Sequence, residues 1–329
     1  MLTWVARPGL LLLACLAQGF VGAALAGEGD VAPPRDRAVS AIPVVPPPSL
    51  FSFSDTIISY RFQGPSAEPG IGIERADGRR EPREVPKNVI NLLHANAWDY
   101  GTNLLSLDIL RSGSQDPAGD KFGNFEGVGA TEAYLIYRGV LSPNKIFDTT
   151  IFSIPGVVKD IGLSFGADIN TKDTKFDSEK RAGTFGLNFA FDVPAGYLNL
   201  KVQGYKEFSR NGFAVGRFRS VEFLMTPEFE LTYALPLTFT GLPLSLAGFN
   251  TIILPKGRYG TTNQNETQME FVSQTNLVLD VGALVSGTPN RFEVFAGFQY
   301  WHNKFGADPR RTINTEEKAL IAGVSYHLR

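Results

Sequence analysis

The feature that most restricts this chain is a two-residue rhythm. From Ile161 to Asn170 every odd position is apolar and every even one is small or polar. Phe185, Leu187, Phe189 and Phe191 alternate with Thr184, Gly186, Asn188 and Ala190. Phe229, Leu231, Tyr233 and Leu235 alternate with Glu228, Glu230, Thr232 and Ala234. Successive side chains of a strand point to opposite faces, so each such segment is a strand with one apolar and one polar face. Helical periodicity is hard to find. No stretch after residue 50 reaches the roughly 18 consecutive apolar residues of a transmembrane helix.

Composition narrows the classes further. The chain is 43% hydrophobic and 12% aromatic but only 19% charged, which excludes a disordered polymer. Its formal charge is −2, without the basic excess a nucleic-acid polymer partner requires. One Cys cannot make a disulfide framework, and one Cys with three His makes a Cys/His zinc site implausible. No metal and no cofactor are expected.

Residues 1–26 read as a secretory signal peptide: Arg7 is the basic head, an apolar run follows from Leu10, and Ala24-Leu25-Ala26 is the cleavage site. An uncleaved membrane anchor and a lipoprotein start at Cys15 are the alternatives. Residues 27–50 are rich in proline, including Pro46-Pro47-Pro48, and read as an extended periplasmic tether because proline fixes φ and has no N–H to donate. The folded body is expected from 51 to 329.

About twelve strand segments follow in that body, near 53–62, 85–96, 101–111, 129–138, 158–170, 182–191, 197–207, 220–235, 243–254, 269–281, 291–302 and 317–329. Long connections such as 63–84, 112–128 and 303–316 alternate with short ones such as 97–100 and 192–196. An even strand count with long loops at one end and short turns at the other fits an all-β, transmembrane, up-and-down antiparallel β-barrel of the bacterial outer membrane. A soluble two-sheet sandwich also alternates, but it predicts no such asymmetry of connections. Residues 139–157 break the pattern and are expected to form a plug or a periplasmic cap. In the last strand Leu320, Ala322, Val324, Tyr326 and Leu328 share one face, a C-terminal pattern that barrel-assembly machinery recognises, although the chain ends on Arg329.

Twelve strands about 4.8 Å apart and tilted by about 40° give a backbone radius of about 12 Å, a narrow lumen once side chains are added. Strand parity points Asp55, Arg61, Glu132, Tyr134, Arg138, Asp168, Asn170, Tyr205, Glu207 and Trp301 inward. Both signs of charge are present, with aromatic faces among them. That lining suits a flat, neutral ring bearing hydroxyls, such as a nucleoside. The same groups are also able to hydrogen-bond one another and simply fill the barrel.

No catalytic residue is expected. Gly162-Leu163-Ser164-Phe165-Gly166 has the spacing of a nucleophile elbow but lies inside an alternating strand, where an elbow's strand-to-helix turn is impossible. A membrane phospholipase would need a serine beside a histidine on the outer wall. Neither His94 nor His302 has one next to it in sequence, which leaves only a cross-strand neighbour.

Several strings, in order, resemble the nucleoside-specific channel-forming (Tsx-like) outer-membrane proteins. They include Phe53 to Arg61, Val85 to Ala95 with Tyr100-Gly101-Thr102-Asn103, Asp116-Pro117-Ala118, Glu132 to Arg138, Asp168 to Lys172 and Phe191-Asp192-Val193-Pro194. Pro255-Lys256-Gly257, Asp280-Val281-Gly282 and Tyr300 to Gly306 complete the series. The resemblance implies a monomeric twelve-strand barrel, set among outer-membrane lipid and lipopolysaccharide, that admits nucleosides or similar small polar solutes. The Pro-rich tether, the Leu328-Arg329 ending and the segment around Asn211 to Arg219 depart from that family. A receptor for a surface partner is the competing function.

Overall fold

A computed structural model of the chain describes residues 50–114, 116, 129–173, 178–210, 220–258 and 265–328. The expected signal peptide, the tether up to residue 49, Pro117-Ala118 and the 211–219 segment lie outside the described residues.

Eleven of the twelve strand segments read from the alternation are each present as one wall strand, and the twelfth, 220–235, is divided. In chain order the strands are β1 (Phe53–Gly64), β2 (Ala67–Glu74), β3 (Arg80–Glu84), β4 (Lys87–Trp98), β5 (Gly101–Ser112), β6 (Thr131–Leu141), β7 (Val158–Lys172) and β8 (Glu179–Phe191). They continue as β9 (Tyr197–Arg210), β10 (Ser220–Glu222), β11 (Thr226–Pro236), β12 (Leu244–Ile253), β13 (Glu270–Asp280), β14 (Phe292–His302) and β15 (Glu317–His327). All but β2, β3 and β10 form the wall, each pairing antiparallel with its neighbours in sequence. The seam closes where β15 meets β1, with Ser59 opposite Ser325 and Arg61 opposite Gly323. β8 also pairs with β9, so the sheet has no free edge. The fold is a closed, up-and-down, twelve-strand antiparallel barrel.

Burial is inverted relative to a water-soluble domain. Outward-pointing Ile58, Tyr60, Phe62, Ile90, Leu92, Ile169, Phe185, Phe298 and Leu320 are exposed, while inward-pointing Asp55, Lys87, Asp168, Lys201, Glu230 and Glu317 are buried. An apolar outer wall around a polar interior is stable in lipid, where the closed ladder leaves no backbone group unpaired. This makes the barrel a transmembrane one. Among the described residues no helix is long and apolar enough to cross a membrane. Glycines occur where the wall needs room. At Gly323 a Cβ would lie 2.4 Å from the ring of Phe295, its neighbour across the β14–β15 pair, and 2.4 Å from the carbonyl oxygen of Tyr60.

Two segments depart from expectation, and a third takes one of its two expected forms. The loop 63–84 contains the hairpin β2–β3, whose strands alternate too little to show in the sequence. The segment 220–235 is not one strand. After β10 the chain leaves the ladder because the Phe223 N–H bonds to the Glu207 carbonyl and the Leu224 N–H to that of Lys256. This turns Phe223 inward, where it is buried. Residues 139–157 do not plug the barrel. They form a short helix α1 (Pro143–Ile146) pinned at the turn end, where the Ser142 hydroxyl and the Asn144 amide donate to Asp160 at 2.8 and 3.0 Å. Ile146, Phe147 and Ile151 stay exposed, so the segment is a cap beside the turns.

Candidate functional site

The polar side chains of the lumen form three levels. At mid-barrel, Arg138 on β6 donates from Nη1 to Asp168 on β7 (2.5 Å) and from Nε to Glu230 on β11 (3.1 Å). β6 and β11 are separated by β7, β8 and β9, so this side chain reaches across the lumen rather than along the wall. Glu230 also takes Lys201. Gln203 donates to Glu228 at 2.6 Å and accepts from Ser164 at 3.0 Å. Ser164, the middle residue of the elbow-like string, is thus an inward-facing residue of β7 with a structural partner.

Above this belt, toward the long loops, Tyr205 donates to Glu207 at 2.8 Å, and Glu207 pairs with Lys256. The ammonium groups of Lys180 and Lys256 approach the Tyr205 ring, 5.4 and 5.8 Å from its centroid. Tyr205 is fully buried, so it offers no open face for stacking. Lys180 also donates to the Tyr134 hydroxyl at 3.2 Å. Trp301 donates from Nε1 to Glu270 at 2.9 Å and packs edge-on against Phe305, with Lys304 4.6 Å over its ring.

The mouth at the long-loop end is the most densely charged level. Glu132 accepts from Asn170 at 2.5 Å and from Lys87 at 3.2 Å. Lys172 pairs with Asp116 at 2.8 Å and Lys304 with Glu317 at 2.7 Å. Between these lysines sits Glu68 of the β2 hairpin, with ion-pair distances of 2.6 Å to Lys87, 3.5 Å to Lys172 and 3.7 Å to Lys304. Burial alone would raise the Glu68 carboxyl, but the attraction of Lys172, Lys87 and Lys304 outweighs it and holds the group well below the usual carboxylate range.

Of the ten residues expected along the lumen, the structure joins Glu132 with Asn170, Arg138 with Asp168 and Tyr134, and Tyr205 with Glu207. Tyr134 and Asp168 are 3.4 Å apart. Asp55, Arg61 and Trp301 belong to separate clusters. Arg61 makes a two-pronged bond to Asp108 at 3.2 and 2.6 Å, and both side chains keep access to solvent inside the barrel. Asp55 holds His327 at 2.7 Å at the seam, with Glu293 3.3 Å from the other ring nitrogen. Sequence parity alone carries Lys87, Lys201 and Glu317 onto the inner face. Glu68, Asp116 and Lys304 lie in connections, where no periodicity marks them.

The cross-strand neighbour of His94 on the outer wall is Thr56, whose hydroxyl is 2.9 Å from Nδ1. Asn96, Asn103 and Tyr137 continue this row of hydrogen bonds at 3.3, 3.0 and 2.8 Å. Each member meets a neighbour's polar atom, which is what lipid-facing polar groups require. Among the described residues no cluster of His, Cys, Asp and Glu could hold a metal ion.

No family model matches the chain, and no curated protein does. Solved structures resemble it at low identity. An outer membrane channel from Pseudomonas putida F1 has a TM-score of 0.49 and 10% identity, covering 86% of this chain and 100% of that one. The translocator domain of the autotransporter NalP from Neisseria meningitidis has a TM-score of 0.39 and 12% identity over 83% and 88% of the two chains. The KdgM porin in complex with disordered oligogalacturonate has a TM-score of 0.37 and 11% identity over 82% and 98%. The fold assignment rests on the strand pairing within this chain.

Proposed function

We propose that the protein is an outer-membrane channel for small polar solutes, with nucleosides, the class implied by the Tsx-like resemblance, among them. One observation carries the reading. Inside a barrel whose outer wall is apolar, the Arg61–Asp108 pair retains solvent access between the bridged mouth and the turn end. A wall of fixed donors and acceptors in a narrow passage selects by contact, because a solute must trade its hydration for wall groups as it moves. Nucleoside hydroxyls and ring nitrogens match such groups. Balanced charge on the wall disfavours a strong preference for either ion sign. The long loops would face outward, with both termini of the barrel toward the periplasm, as in outer-membrane barrels generally.

Planar-bilayer recording of the purified protein tests this. Small single-channel currents that adenosine or uridine reduces in a saturable way are expected. A barrel that passes no ions would overturn the channel reading. Currents indifferent to nucleosides would keep the channel and remove that solute class.

A further inference from the structure

We infer that the ammonium groups of Lys87, Lys172 and Lys304 form a carboxylate-binding site at the long-loop mouth, occupied here by Glu68 and open to exchange with a carboxylate-bearing solute. This inference deepens the channel reading and rests on it for the site's role in passage.

The geometry has three parts. First, the lysines come from separate places on the rim: Lys87 opens β4, Lys172 ends β7, and Lys304 follows β14. By strand order β14 and β7 lie nearly opposite each other in the barrel. A carboxylate that touches all three therefore stands in the mouth, not against one wall. Each lysine is more than nine-tenths buried, while the Glu68 side chain keeps a small opening to solvent. Second, each lysine already has a carboxylate that does not depend on Glu68, namely Glu132, Asp116 and Glu317. Withdrawal of Glu68 strands no buried charge, which is the usual obstacle to opening a buried ion pair. Third, the backbone next to Glu68 is fixed independently of its side chain. The Ala67 N–H donates to Glu317 and the Ala67 carbonyl accepts from Lys304, at 2.9 and 2.8 Å. Further along the hairpin, Gly70 donates to the Ile313 carbonyl and Asn314 to that of Arg83, both at 2.8 Å. Exchange then needs only rotation of one side chain, with the hairpin in place.

A free carboxylate and the Glu68 carboxylate make the same ion pairs. The equilibrium between them is set by the effective concentration of the tethered group, which is high for a side chain on a fixed backbone. A solute at comparable concentration competes, and removal of the tethered charge must sharpen its binding.

Trp301, under Lys304, supplies a readout that does not depend on conduction. In a W4F/W98F background it is the sole tryptophan. Acetate is titrated against its fluorescence in this protein and in the Glu68→Gln variant, with acetamide as the neutral control and inorganic phosphate as a different anion. Half-saturation by acetate is expected at a concentration at least tenfold lower in Glu68→Gln, with acetamide silent. Adding Lys172→Met to Glu68→Gln is expected to abolish the response. Heat-modifiable gel migration identifies folded barrels, and Glu68→Ala serves if Glu68→Gln does not fold. Equal responses to acetate and acetamide, or an unshifted half-saturation, would overturn the inference, as would a response to phosphate alone. The same proteins in planar bilayers separate the two readings. Acetate binding without any current would sink the channel and leave the site, and current without acetate discrimination would do the reverse.

Discussion

The mid-barrel belt and the mouth use the same chemistry with opposite mechanical consequences. At mid-barrel Arg138, Asp168, Lys201 and Glu230 all stand on wall strands. Arg138 is the shared partner of two carboxylates on the non-adjacent strands β7 and β11. At the mouth the shared partner is Glu68, which comes from a hairpin outside the wall, and the groups it touches have other partners. Loss of Arg138 would leave the buried Asp168 with only Lys180, 3.9 Å away, so that bridge is structural. A bridge whose removal leaves only paired charge is free to move. Position in the ion-pair graph, more than burial, divides the fixed part of the lumen from the exchangeable part.

Substituting Arg138 should break this contrast most severely. Arg138→Ala leaves Asp168 without its closest cation and removes one of the two cations on Glu230. A loss of about 3–5 kcal/mol is expected, as when one partner of a buried pair is deleted. Urea titration of the barrel in detergent or bilayers, followed by gel migration, measures it, and a loss below about 1 kcal/mol would place the belt with the mouth. Glu68→Gln should have the reverse profile. Unfolding is expected to change by no more than about 1 kcal/mol, the scale of one ordinary polar interaction. Mean single-channel current should rise about two- to fivefold, by the estimate that a narrow filter's barrier follows the groups lining it.

Acid should affect the two levels differently as well. Glu68 faces Lys87, Lys172 and Lys304, with Glu132, Asp116 and Glu317 beside them. Its folded carboxyl lies below its ordinary value of 4.5, so its contribution is complete above that value and is lost as pH falls through the lower, folded one. Current through the natural protein should stay level from neutral pH down to about that ordinary carboxylate value, then rise in stronger acid. Glu68→Gln should lack this rise, and a rise shared by both proteins would assign it to another group. The smallest effect is expected from Tyr205→Phe. It removes one hydrogen bond to Glu207, which keeps Lys256, and should cost about 1 kcal/mol with little change in current.

Much of the wall was legible because a strand's two faces are written into alternate residues. The run from Ile161 to Asn170 became β7 with Asp168 and Asn170 inward, and the strand at 317–329 became the seam strand with Ser325 and His327 inward. The candidate lumen residues were identified by the same parity, yet their partners were not. Arg138 and Glu230 are 92 positions apart and meet only because the closed sheet curves them toward each other. Parity also could not show that Tyr205 has no open face, since the lysines near its ring come from β8 and from the connection after β12.

The sequence by itself determined most of the wall strands, their approximate limits and the face each of their side chains takes, because these are local consequences of backbone geometry and of the contrast between lipid and a polar interior. Tertiary structure alone decided which charges pair across the lumen and that Glu68 of the first long loop stands between three lysines at the mouth. Those contacts depend on closure of the sheet and on how a connection without periodicity folds back over it, and neither is encoded in any short window of residues.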